Sequence, residues 1–593
     1  MKGRAKRVKG SSRFTVLLVL LVGAFLVIAG RLTYLQAAAA PQFAERATDQ
    51  RLRNIEIPPQ RGAIYDREGE PLAVTTEACT VYAVPQSIDD PVGTSAAIAS
   101  VLGTDPGEYV ERLGTDSSFT YIARKLDMDH AAALKALDLH GVEFQEDSRR
   151  VYPSGELACQ VLGFVGIDDE GLAGLEKQYE GLLAGTPGSL LAERDPFGRV
   201  IPDGVMQSID AIDGQDIVLT IDKDIQYQAQ VELSAAVEEW GAKSGSVLVM
   251  NPQNGEIYAM ATVPGFNPNS FGSAEPYSYR NRPVTDVYEP GSTMKSLTAA
   301  AVIEEGLYGP EDMFELPSTI TVADRTISES HSRPTVNWSL ADIVINSSNV
   351  GSVMLGLELG EQRLYDYLDL FGMNDRTGVD YPGEGLGYLP PLEKWSGSTI
   401  GTIPFGQGIS MTQLQLARAL SAIANGGELP TPHFLRDLPE TDDASLVWTL
   451  ERVISEETAR TTSSILERVV TTGTGGSASV PGYEVAGKTG TAQKARTDGQ
   501  AGYAKDKYVA SFSGYLPVAD PQVLIIVSLD EPSNAIYGGT VAAPTFSSLA
   551  QFSVSHLKIP PTTSVDSAVE TDLVVGSTDD GSVPTADADA EGR

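Results

Sequence analysis

Two cysteines in 593 residues, Cys79 and Cys159, exclude a disulfide framework and a cysteine-based metal site. They are open to pairing or to burial as thiols, and burial is the expectation. Histidine is nearly as scarce. His130, His140, His331, His433 and His556 lie scattered without ligand spacing, which gives no basis for a metal centre or a Ser-His-Asp triad. No lysine- or arginine-rich face follows the first residues, and the formal net charge is -36, so nucleic acid is excluded as a partner: a phosphate backbone needs a basic surface. What is present is enough for two or three folded domains, since 593 residues are too many for one core and a hydrophobic content of 42% is ordinary for globular protein.

One apolar run, residues 14–30, follows Lys2, Arg4, Lys6, Arg7, Lys9 and Arg13. As a helix it is about 25 Å long, or about 33 Å if it continues to Leu35, enough to cross a hydrocarbon core. The preceding positive charge predicts a cytoplasmic N-terminus (residues 1–13), a transmembrane anchor (14–35) and an extracellular remainder. The small-residue run Ala37-Ala38-Ala39 admits a cleaved signal peptide instead, but the apolar run exceeds a usual signal core.

Chemistry concentrates in three short stretches. Glu289-Pro290-Gly291-Ser292-Thr293-Met294-Lys295 makes a turn and then a helix, with Met294, Leu297, Ala300, Ala301 and Val302 apolar and Gly306 beyond its end. Ser292 opens that helix and Lys295, three residues on, shares its face, a nucleophile beside a candidate base. Alone, an N-cap serine and a first-turn cation explain it. Ile345-Asn346-Ser347-Ser348-Asn349-Val350-Gly351 and Gly487-Lys488-Thr489-Gly490-Thr491-Ala492 change the odds, because this trio in this order marks penicillin-binding proteins and serine β-lactamases. Over nearly its whole length the chain resembles the class B penicillin-binding proteins, membrane-anchored D,D-transpeptidases that cross-link peptidoglycan.

That resemblance implies a mixed α/β pedestal (dimerisation-like) domain over residues 50–220. It is carried there by Arg61-Gly62-Ala63-Ile64-Tyr65-Asp66-Arg67-Glu68-Gly69, Arg149-Arg150-Val151-Tyr152-Pro153, Val161-Leu162-Gly163-Phe164-Val165-Gly166 and Gly171-Leu172-Ala173-Gly174-Leu175-Glu176. Salt-bridged structural roles are expected for Arg61, Asp66, Arg149 and Glu176. Residues 221–558 are expected to form an α+β transpeptidase domain: a helix near 225–240, a hairpin of 246–250 and 257–261, helical sequence holding Ser292 and Ser347, then strands at 488–493, 508–515 and 523–529 and a final helix near 544–557. Residues 559–593, rich in acidic, Ser, Thr and Ala residues, are expected to be a disordered tail.

A serine needs a neighbour to take its proton. Lysine is almost wholly charged at neutral pH, so Lys295 can serve only if burial and a second cation, Lys488, depress its pKa. By resemblance Ser347 relays a proton to the leaving amine, Asn349 holds the donor amide, and Lys488, Thr489 and Thr491 hold the terminal carboxylate of a stem peptide ending in D-Ala-D-Ala. Gly490 leaves room for a substrate close to the strand, and the backbone amides of Ser292 and Thr491 form the oxyanion hole. No metal, nucleotide or other cofactor is expected. β-Lactams imitate the donor. A polytopic glycosyltransferase and divisome membrane proteins are the implied partners, and Ser-Ser-Asn-Val-Gly with residues 508–517 looks like the septal type, also used in spore cortex synthesis. The competing functions are a D,D-carboxypeptidase, a β-lactamase-like hydrolase, and a β-lactam sensor or non-catalytic scaffold.

Overall fold

The computed structural model describes residues 11–41, 52–193, 206–439, 448–496 and 502–563; the basic residues before Ser11 and the acidic stretch from Ser564 lie outside the described residues. The chain divides into two compact units. The first, residues 1–60 and 185–214, holds a helix Ser11–Thr33 that passes into the π-turn Tyr34–Ala38, and an antiparallel sheet in which Gly188–Glu193 lies between Leu52–Ile57 and Met206–Ile209. Residues 13–38 form one apolar span with no part of its best window buried by protein, slightly longer than the expected anchor.

The second unit carries everything else. Its first part is built on the long strand Pro71–Ala83, paired antiparallel with Val142–Val151 and Thr120–Leu126, and covered by the helices Pro91–Leu102, Gly107–Leu113 and Met128–Lys135 around Val81, Ile98, Leu113 and Leu134. Glu176 is fully buried between two guanidinium groups, Arg61 Nε at 2.7 Å and Arg150 Nε at 2.7 Å. This corrects two expectations. Arg150 rather than Arg149 makes the ion pair, because alternation along the strand turns Arg149 outward. Asp66 makes no ion pair among the described residues but accepts the backbone N–H groups of Glu68, Glu70 and Lys223, fixing the turn at Gly69. Both cysteines are buried free thiols, and burial pushes the Cys159 thiol up to about 12.

The remainder is organised by a five-stranded antiparallel sheet, its strands numbered along the chain: β1 Ser244–Met250, β2 Ile257–Val263, β3 Ala486–Ala495, β4 Tyr503–Leu516 and β5 Val523–Asp530. In space the order is β2-β1-β5-β4-β3. Five helices complete the account of the site: α1 Lys223–Glu239, α2 Met294–Glu304, α3 Leu340–Ile345, α4 Asn349–Leu359 and α5 Ala543–His556. The second half of β1, residues 247–250, reads as an uninterrupted apolar run because both its faces are covered. Val247 and Val249 pack with Ile525 and Val527 against Phe546 and Leu549 of α5 and Ile225 of α1, while Leu248 and Met250 share a core with Leu297 and Ala301 of α2.

Helix α2 is buried continuously from Met294 to Val302, so it runs through the interior and is apolar nearly all round. It stops at Gly306, whose φ of 64° suits the left-handed residue after a helix end. The expectation of purely helical sequence in the middle is corrected: two small hairpins, Met313–Leu316 with Val336–Ser339 and Thr319–Val322 with Arg325–Ser328, stand between α2 and α3. Four-residue strands joined through Ala323-Asp324, without a glycine, leave little pattern to read.

Candidate active site

Ser292 sits in the 3-10 turn Gly291–Thr293, immediately before α2, and this turn packs on the edge strand β3. Gly291 permits both features. Its φ is 56°, and a Cβ there would stand 3.2 Å from Ala492 Cβ and 3.3 Å from the Thr491 carbonyl oxygen. On β3, Lys488 and Gly490 face the turn and the helices, whereas Thr489 and Thr491 line an open cavity of about 660 Å³ that also contains Ser292, Ser347 and Asn349. All the stretches singled out in the sequence therefore meet at one place. Gly490 is the exception in role: it does not line the cavity, and a Cβ there would lie 2.3 Å from Ser511 Oγ and 3.1 Å from Thr293 Oγ1. A side chain at this position would meet β4 and the serine turn, which favours glycine there.

Ser347 occupies the bend between α3 and α4 with φ 57°, in the left-handed region that costs a non-glycine residue about 1–3 kcal/mol and recurs at functional sites. Two lysines converge on it. Lys295 Nζ donates to the Ser347 carbonyl at 2.6 Å and to Asn349 Oδ1 at 2.8 Å, and lies 3.2 Å from Ser347 Oγ. Lys488 Nζ approaches the same hydroxyl at 3.1 Å and reaches the Thr489 carbonyl and hydroxyl, both at 3.2 Å. Each lysine is only 1% exposed. Burial first, and then the charge of Lys488, hold Lys295 well below the ordinary lysine range, and burial brings Lys488 down to about 7. A neutral Lys295 amine has two hydrogens for its two shorter bonds, and the Ser347 hydroxyl can supply the third.

Sequence reasoning missed Glu329. It follows the second hairpin, receives the Asn349 backbone N–H at 2.7 Å and the Ser348 hydroxyl, and pairs with Arg333. Ser348 in turn caps α4 by accepting the Gly351 N–H at 2.9 Å. Thus the residue skipped between Ser347 and Asn349 fixes the helix start that aims both. Thr474, also missed, shares a 3.0 Å hydrogen bond with the Thr489 hydroxyl, and Gly538 N donates to Thr491 Oγ1 at 3.2 Å, so both cavity-facing threonines are oriented by neighbours that line the same cavity. These partners lie far away in sequence and carry no local periodicity.

A nucleophile at a helix start, a desolvated lysine, a second lysine bridged to it through a hydroxyl, and an edge strand facing the cleft coincide here. Comparison with known proteins gives the matching result: the penicillin binding protein transpeptidase domain matches residues 245–551, and the penicillin-binding protein dimerisation domain matches residues 56–219. The chain belongs to the penicillin-binding proteins. Stage V sporulation protein D of Bacillus subtilis (strain 168) is 38% identical, over 93% of this chain and 86% of that protein. The peptidoglycan D,D-transpeptidase FtsI of Escherichia coli (strain K12) is 32% identical over 93% of each chain. Among solved structures, penicillin-binding protein 3 of Mycobacterium tuberculosis complexed with ampicillin superposes with a TM-score of 0.66 at 30% identity, covering 86% of this chain and 98% of that one. As a penicillin-binding protein of class B, this chain joins an N-terminal apolar helix suited to a single-pass anchor, a dimerisation domain and a transpeptidase domain in that order. No carboxylate lines the described active-site cavity, so the described residues there offer no glutamate of the kind that activates hydrolytic water in class A β-lactamases.

Proposed function

We propose that this chain is a serine D,D-transpeptidase that cross-links peptidoglycan stem peptides in septal wall synthesis and is acylated by β-lactams. The observation that carries it is the pair of buried lysines meeting at Ser347 Oγ, 3.2 and 3.1 Å away, beside the turn that holds Ser292. The donor lies extended along the free edge of β3, its terminal carboxylate at Lys488, Thr489 and Thr491 and its amide at Asn349. Ser292 Oγ attacks the carbonyl of the penultimate D-Ala while Lys295 takes its proton. The oxyanion is held by the N–H groups of Ser292 and Thr491, worth about 3–4 kcal/mol per donor in comparable sites. The C–N bond breaks, the proton passes through Ser347 to the departing D-Ala amine, and an ester remains on Ser292. An amine of a second stem then attacks, forms the new amide and returns the proton to Ser292.

The basic residues before the apolar span support a cytoplasmic N-terminus and a catalytic domain outside. The domain boundaries are the anchor at 14–35, the pedestal at 50–220 and the transpeptidase domain at 221–558. A polytopic glycosyltransferase and divisome membrane proteins are the partners, a reading supported by the dimerisation and transpeptidase domains that the chain shares with class B relatives. The test is turnover by the full-length chain in detergent of a peptide ending in D-Ala-D-Ala with an amine acceptor, followed by mass spectrometry. Transpeptidation yields D-Ala and an acceptor-linked product, both lost in Ser292→Ala. Hydrolysed product alone, with the acceptor present, would overturn the proposal in favour of a carboxypeptidase.

A further inference from the structure

A cavity of about 550 Å³ opens where the dimerisation domain meets the transpeptidase domain, and none of the three catalytic stretches lines it. Arg149, Val151 and Pro153 come to it from one of the segments that the sequence singled out and the reaction does not use, and Val165 comes from another. Pro268, Asn269 and Phe271 face them from the transpeptidase domain. The wall is fastened across the junction: the Asn269 side chain accepts the Tyr152 N–H at 3.0 Å and donates to the Tyr152 carbonyl at 2.9 Å. Phe271 is held against Phe164, ring centroids 4.2 Å apart.

The formal net charge of the chain is -36, yet Arg124, Lys125, Arg149 and Arg150 line this cavity against one carboxylate, Asp169. Arg150 is engaged by Glu176 at 2.7 Å, Arg124 by Asp168 at 2.6 Å and Lys125 by Asp169. Arg149 is not. It is exposed, and its guanidinium has no ion-pair or hydrogen-bond partner among the described residues. Apolar surface continues past the rim. Ile167 lines the cavity and is 49% exposed; Arg124, which reaches the Ile167 carbonyl at 3.4 Å, lies over the Tyr121 ring, 5.2 Å from its centroid. Tyr121 meets Phe119 edge to face at 4.8 Å, and both rings are nearly half exposed. The strand Thr120–Leu126 that carries Tyr121 and Arg124 ends its sheet, with a partner strand on one side only among the described residues.

We infer that this cavity is a docking site for a protein partner, whose extracellular segment sets a large apolar side chain on Val165, Ile167 and Phe271 and a neighbouring carboxylate on Arg149. The inference gives a surface to the membrane partners proposed above, and rests on that reading for the partner's place outside the cell. Arginine and aromatic side chains around an apolar depression are the composition of protein-binding surfaces. The exposed rings and the unpaired strand edge favour a polypeptide over a small anion, which would use Arg149 alone. Such a segment touches both domains at once, because Arg149 and Phe271 belong to different ones. The two adjacent arginines divide the work: Arg150 holds the fold through Glu176, and Arg149 is left for the partner.

The probe is a displayed library of random heptapeptides, selected on the full-length chain in detergent with penicillin present to fill the active site. Arg149→Glu reverses the free charge and Ile167→Asp breaks the apolar wall; both positions are exposed, and circular dichroism with penicillin labelling establishes that each variant is folded. The selected peptides carry an aspartate or glutamate beside a leucine, isoleucine or phenylalanine, and bind each variant at least about tenfold more weakly than the wild type. Failure to enrich any peptide on the wild-type chain, decisive even if both variants misfold, would overturn the inference. Peptides without that pattern, or held equally by either folded variant, would do the same. Displacement of the selected peptides by an uncross-linked stem peptide would assign the cavity to the substrate and overturn partner docking. Transpeptidation is judged separately by D-Ala release, so each of these failures leaves it standing.

Discussion

Replacing Lys488 by methionine removes a charge while keeping much of the side-chain volume, and tests whether this lysine keeps Lys295 neutral. Both ammonium nitrogens lie within hydrogen-bond reach of Ser347 Oγ, so they stand no more than about 6 Å apart. At an effective dielectric of about 20, two unit charges at that separation repel by about 2.8 kcal/mol, which adds to burial in holding Lys295 well below the ordinary lysine range. The protonated lysine cannot accept the serine proton, so the acylation rate rises with pH as Lys295 loses its proton. Without Lys488 that rise moves to higher pH, because burial alone remains to depress the amine. The assay is the second-order rate of acylation by a fluorescent penicillin from about pH 5 to about pH 10, up to the ordinary lysine range. The position of the acid limb is the readout, since lost carboxylate binding lowers the whole curve without moving it. An acid limb at the same pH in both proteins would refute the electrostatic argument.

Glu329→Gln should cost about 2–3 kcal/mol, because it removes charge-assisted bonds and leaves Arg333 without its partner; thermal unfolding reads the loss, and slowed acylation reports the loosened start of α4. Gly490→Ala should slow acylation at least about tenfold at a stability cost of about 1–3 kcal/mol, since the new methyl group must displace Ser511 or the serine turn; normal acylation would show that β3 yields freely. Glu176→Gln leaves the buried Arg150 without its carboxylate, and Arg61 with Glu180 alone, and should destabilise by about 3–5 kcal/mol, visible as a lower denaturation midpoint. The fraction that stays folded should acylate at the wild-type rate, and a selective catalytic defect would count against a purely structural role.

The elements that the sequence disclosed best are those with strong local pattern. Helix α2 announced itself through the turn at Pro290-Gly291, its apolar positions and Gly306, and the structure differs only in making the first residues a 3-10 turn. The strands β1, β2 and β5 were legible because buried β-sheet positions leave concentrated apolar runs, whereas β3, which has none, was marked by its Gly-Lys-Thr-Gly stretch. Partners supplied by distant segments were not. Glu329 acts on Ser348 and Asn349 from the end of a four-residue strand, Thr474 reaches Thr489 from outside every motif, and the pairing of Arg150 rather than Arg149 depends on strand phase that Arg-Arg adjacency conceals. Gly490 shows a different limit. The close packing of Ser511 and Thr293 around it comes from segments distant in sequence, which no local pattern announces.

The central claim is that Ser292 is the nucleophile of a lysine-assisted acyl transfer. Its most direct test is intact-protein and peptide mass spectrometry of the full-length chain after brief exposure to a penicillin. The account predicts one adduct per chain, carried on the peptide containing Ser292, persisting after the free drug is removed and absent from Ser292→Ala. No adduct on a folded wild-type chain, or an adduct that forms equally in Ser292→Ala, would contradict it.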